Sequence, residues 1–130
     1  MLIVGIALFA GVAVSAIRST SHSGPDDQTA NSAAREELLR SGVDPSSELP
    51  YTHYLYFSNK SDSDAVAATL TAEFTVDVRP PGGGIDDWAV VARQTIALDA
   101  PALDRLTAQF TDVAERSNGT YDGWEVELKP

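Results

Sequence analysis

Six stretches between Thr52 and Leu128 switch between two hydrophobic periods, and that alternation leaves few folds open. His53-Tyr54-Leu55-Tyr56-Phe57 is aromatic and alternating, the pattern of a half-buried strand. Ser61-Asp62-Ser63-Asp64 then reads as a capping-box-like start of a helix carrying Ala65, Val66, Ala68, Leu70 and Ala72. Phe74 to Arg79 alternates again, Pro80-Pro81-Gly82-Gly83-Gly84 breaks it, and Trp88 to Ile96 makes a third strand. Asp99 caps a second helix with Pro101 in its first turn. Along that helix Leu103, Leu106, Phe110 and Val113 recur at three and four residues, a core-facing stripe. Asn118-Gly119 stops it. Asp122-Gly123 reads as a tight turn, after which Trp124, Val126 and Leu128 alternate with Glu125, Glu127 and Lys129.

Strand, helix, strand, strand, helix, strand is the order of two split βαβ halves. The fold class expected is therefore α+β: a ferredoxin-like βαββαβ with a four-stranded antiparallel sheet. Right-handed crossovers place both helices on one face. The first and third strands lie in the centre, with the fourth and second at the edges. The expected core runs over residues 52–129 within a domain of residues 31–130.

Before this core, Asn31 to Arg40 reads as a short helix capped by Asn31 or Ser32, with Leu38 and Leu39 as its apolar spot. Gly42 sits where a C-terminal cap belongs, and Asp44-Pro45 ends any continuation. Residues 19–30 are rich in Ser, Asp and Thr and read as a flexible linker, with His22 solvated in it. Residues 1–18 carry an apolar run from Leu2 to Ile17 followed by Arg18, expected to be a single-pass transmembrane helix. Arg18 favours a cytoplasmic domain by the positive-inside rule. Two rival readings are a signal peptide cleaved near Val14-Ser15-Ala16, and a span that starts upstream of Met1. No Lys or Arg precedes the apolar run, so the signal peptide's usual basic segment is missing.

The chain has 130 residues and a net charge of −10, which argues against direct nucleic-acid binding, because phosphate contacts need clustered Lys and Arg. It is compatible with a basic protein partner. No cysteine is present, so thiolate metal sites and disulfides are ruled out. Gly82-Gly83-Gly84 joins two strands, whereas a phosphate loop leads into a helix. His53 has no second His or Cys in the compact domain to complete a site; a structural hydrogen bond to Asp122 is its expected use. Asp86-Asp87 and Asp62-Asp64 lack the ligand count of a calcium loop. With no catalytic constellation, metal set or cofactor motif, the chain is read as a non-enzyme.

The remaining surface is the sheet face turned away from the helices. Alternation gives it Tyr54, Tyr56, Asp77, Arg79, Val91, Arg93, Glu125 and Glu127. Of these, Tyr54, Tyr56, Arg79, Arg93, Glu125 and Glu127 are the expected partner-binding set, Tyr and Arg being frequent hot-spot residues. An equal alternative lays the Asn31–Arg40 helix across that face. Trp88 and Trp124 fall on the helix side.

Tyr121-Asp122-Gly123-Trp124-Glu125 resembles the closing motif of the RraB family, regulators of ribonuclease E activity. Leu38-Leu39 through Gly42, Asp44 and Pro45 into Tyr51-Thr52-His53 is similar to that family's opening segment. The resemblance covers about Leu38 to Leu128 and implies the ferredoxin-like fold already read from the periods. It implies a small acidic, non-catalytic inhibitor that binds ribonuclease E or another RNA-decay protein and alters RNA turnover. It supplies no catalytic residues, and its Tyr121–Glu125 motif is expected to be structural. The apolar N-terminus and the end at Lys129-Pro130 without an acidic tail depart from the family pattern. Two other readings of the fold differ in function. One is a ligand-sensing module of the amino-acid-binding type in the cell envelope, which needs a glycine-marked strand–helix loop that is not evident. The other is an acylphosphatase-like enzyme, which needs an arginine where Ser58-Asn59-Lys60 stands.

Overall fold

The computed structural model describes residues 15–19 and 26–128. Strand β1 is Ser15–Ser19, helix α1 Asp26–Arg40, strand β2 Glu48–Phe57 and helix α2 Lys60–Leu70. Strands β3 (Thr75–Arg79) and β4 (Trp88–Ala97) precede helix α3 (Ala100–Arg116) and strand β5 (Thr120–Leu128). All pairings are antiparallel, in the order β1-β5-β2-β4-β3. The four strands read from the sequence stand as expected, β5-β2-β4-β3, and β1 adds a fifth on the β5 edge.

That fifth strand corrects one expectation. Ser15–Ser19, the last part of the expected anchor and the first residue of the expected linker, is a strand paired from Ser15↔Leu128 to Ser19↔Trp124. It supplies main-chain partners to an edge that β5 would otherwise leave open. The rest of the expected transmembrane helix, residues 1–14, lies outside the described residues. Among the described residues no helix is long and apolar enough to cross a membrane.

Local chemistry accounts for most boundaries. Asp99 caps α3, accepting from the Ala102 N–H at 2.9 Å, with Pro101 in the first turn. The α2 cap is Asn59 rather than Ser61. Its side chain accepts from the Asp62 N–H at 2.8 Å and donates back to the Asp62 carboxylate at 3.0 Å. α1 starts at Asp26, ahead of the expected Asn31, so Asn31 lies inside the helix and is buried rather than capping it. Gly42 closes α1 at φ +84, with the Val43 N–H returning to the Leu38 carbonyl at 2.9 Å. β2 begins at Glu48, ahead of the expected Thr52, and tolerates Pro50 because that residue sits just before the double-sided part of the strand. There it faces Thr95 of β4, and pairing with β5 begins at Tyr51↔Val126. The β3–β4 hairpin turns on Gly83 and Gly84, both at positive φ, closed by reciprocal bonds between Gly82 and Ile85.

All three helices lie on one face of the sheet. Leu55, Phe57, Val90, Ala92 and Phe110 form a core under α2 and α3. Ala34 and Leu38 of α1 pack with Leu49, Tyr51, Leu103, Trp124 and Val126 in a second core beside it. The helix expected either to cover the open face or to leave it bare is therefore on the opposite side.

Candidate functional site

The pentapeptide Tyr121–Glu125 contains a β-bulge, where the sequence suggested a turn. His53 faces Trp124 across β2 and β5, but the next pair is Leu55 with Tyr121, so Asp122 and Gly123 together oppose Tyr54. Gly123 takes φ +99, a conformation that costs any other residue. The extra residue changes the parity of the strand. Tyr121 and Trp124, three apart, both point into the helix-side core, Tyr121 under α2–α3 and Trp124 under α1. Trp124 is fully buried. Its indole N–H donates to Asn31 Oδ1 at 2.8 Å, and the Asn31 amide donates to Asp104 at 2.9 Å and Thr107 at 3.1 Å. Arg35 fastens the same helix, donating to the carbonyls of Leu98 (3.2 Å) and Pro45 (3.3 Å) and to the Ser46 hydroxyl.

His53 is buried within the sheet–helix core. Its Nδ1 and the Tyr121 hydroxyl share a hydrogen bond of 2.8 Å, so the expected Asp122 bond is replaced by one to the residue the bulge turns inward. Phe110 stacks on the imidazole at 4.3 Å between centroids. Burial pushes the His53 pKa down to about 3, which keeps the ring neutral near pH 7. The ring is a packing element with a polar edge. Among the described residues no three His, Cys, Asp or Glu side chains gather as a metal site.

The six expected partner-binding residues do share the face opposite the helices, but they differ in access. Tyr54 is 6% exposed and clusters with Ala89 and Val91, with Tyr56 half-buried against them. Glu125 is 3% exposed. Arg93 is half-buried and donates to Asp77 at 3.0 Å, while Arg79 and Glu127 are exposed. Tyr54 and Glu125 are therefore inaccessible, and what a partner could reach is charged, plus the Tyr56 ring.

A second surface, which the sequence reading did not identify, lies between α2 and α3. It is a cleft of about 220 Å³ with an apolar floor of Leu70, Phe74, Leu106, Phe110 and Val113, rimmed by Glu73, Gln109 and Asp112. A further hollow of about 210 Å³ shares Glu73, Phe74, Leu106 and Gln109, and extends towards Ile96 and Ala102. The signal was present in the α3 stripe. Periodicity assigns Leu106 and Val113 to the core, yet both remain half-buried because α2 ends at Leu70 and only the turn carrying Phe74 continues beside them.

A family model described as Regulator of ribonuclease activity B matches residues 28–126. The chain belongs to the RraB family. No curated protein matches it. The RraB match begins two residues into α1 and ends near the close of β5, so both cores, the bulge and the α2–α3 cleft lie inside it. Strand β1 lies outside the RraB match.

Proposed function

We propose that this chain is a non-catalytic regulator that binds a ribonuclease E-type enzyme and slows its cleavage of RNA. The family match carries the reading. The charge of −10 supports a contact with basic protein surface over one with RNA. Cleavage of a labelled RNA by purified ribonuclease E, with and without the full chain, tests the regulation. Slower cleavage and co-purification that survives ribonuclease treatment are expected; unchanged rates at saturating chain would remove the reading.

A further inference from the structure

We propose that the cleft between α2 and α3 is the partner-docking site, and that its occupant is a basic segment of the regulated enzyme presenting an apolar side chain between Arg or Lys residues. The proposal rests on the regulator reading above and names the surface that would carry it.

Apolar access comes first. On the face opposite the helices the apolar residues Tyr54, Ala89 and Val91 are already buried. In the cleft, Phe74, Leu106 and Val113 are half-buried and lie beside a hollow large enough for a side chain. Removing such surface from water is what drives association.

The floor of the cleft is held in place. Phe110 meets Phe74 edge-on at 5.3 Å and stacks on Tyr121 at 5.2 Å and on His53 at 4.3 Å. His53 is tied to Tyr121 in turn. An aromatic layer so interlocked cannot relax to fill the hollow, and a preformed pocket spares a partner the cost of opening one.

Charge selects the occupant. Over residues 60–74 and 99–116, the two helices with their flanking cap and turn, seven side chains are acidic and three basic. Two of the three cations sit in i,i+4 pairs on their own helices, Lys60 with Asp64 at 2.6 Å and Arg116 with Asp112 at 3.0 Å. Both pairs are exposed, so a partner cation can join or replace them at little cost. Glu73 stands on the rim of both hollows and its side chain is in none of these pairs. Arg105 borders only the second hollow, which sets a polarity along the groove: cationic side chains belong at the Glu73–Asp112 end. An apolar anchor ringed by complementary charge is the arrangement of an interface hot spot with its rim.

The test uses the full chain, purified ribonuclease E and a synthetic amphipathic arginine–leucine peptide. Glu73→Arg combined with Gln109→Arg changes two exposed rim residues and should leave folding intact. It is expected to weaken enzyme binding about tenfold or more, whereas Arg79→Glu with Tyr56→Ala on the far face should not. Val113→Arg, which fills the hollow, should act like the rim pair. Loss of binding from the far-face pair with normal binding by the cleft variants would overturn the proposal. Should the unaltered chain neither bind nor slow the enzyme, the regulator reading falls, and the peptide titration followed by amide NMR decides the cleft alone. Saturable shifts centred on Phe74, Leu106, Gln109 and Val113 would uphold it as a basic-peptide site; absent or scattered shifts would reject it.

Discussion

The two halves of the helix-side core share a sheet and share α3, yet one is sealed and the other is not. Under α1, Trp124 is closed over by Ala34 and Leu38, and its indole is tied through Asn31 to Asp104 and Thr107. Tyr51 adds an edge-on contact to Trp124 at 5.3 Å. Under α2, an equally aromatic layer of His53, Phe110, Tyr121 and Phe74 leaves a hollow above it. Two differences explain the contrast. The 15-residue α1 brings a buried amide and a guanidinium that reach across to other elements, whereas the 11-residue α2 contributes mainly small side chains such as Ser63 and Ala67. One α3 stripe can thus close a core on one flank and offer a binding surface on the other.

The largest expected effect lies in the sealed half. Trp124→Ala should cost about 3–5 kcal/mol in denaturant unfolding, the range for truncating a buried aromatic. Its counterpart at the open half, Val113→Ala, removes only half-buried methyls and should cost about 1 kcal/mol. Equal costs would erase the contrast between the halves. Next is the polar hub. Asn31→Ala leaves the Trp124 N–H and the Thr107 hydroxyl short of a partner and should cost about 1–3 kcal/mol. A neutral result would show that α1 is held by its apolar contacts and Arg35 alone.

His53 then distinguishes the halves by pH. Its folded pKa of about 3 lies below the ordinary 6.5, so the unfolded chain binds more protons between those values. Stability should fall as pH drops from about 6.5 towards 3, at up to about 1.4 kcal/mol per pH unit from this group, and level off below. The same melts on His53→Gln should show a shallower acid slope; parallel slopes would place the loss in the carboxylates instead. The smallest effect belongs to the cleft rim. Glu73→Arg with Gln109→Arg should shift stability by no more than about 0.5 kcal/mol, as exposed substitutions do. A larger loss would mean that these residues hold the helices rather than greet a partner.

Particular residues show how far the sequence can be read. The assignment of Tyr54, Tyr56, Arg79 and Arg93 to one face and of Leu55, Val78 and Val90 to the other follows from alternation, and the register agrees. Alternation does not say how deeply a face is covered, so Tyr54 and Glu125 were expected to be accessible and are buried. Asp122-Gly123 carries the composition of a turn, and only the presence of β2 opposite makes it a bulge. Gly119 is a similar case. A Cβ there would run into the Phe57 ring and the Tyr56 carbonyl, a constraint that arises only when the two strands meet.

Local pattern alone dictates the order of β2 to β5 with α2 and α3, the faces of the strands, the Asp99 cap and the α3 stripe. These depend on periodicity and on bonds spanning three or four residues, which are local. The side on which α1 packs, the burial of Asn31, the pairing of β1 with β5 and the hollow between α2 and α3 emerge only when the chain is assembled. Each of these depends on residues far apart in the chain filling, or failing to fill, the same space, and no local pattern encodes that volume.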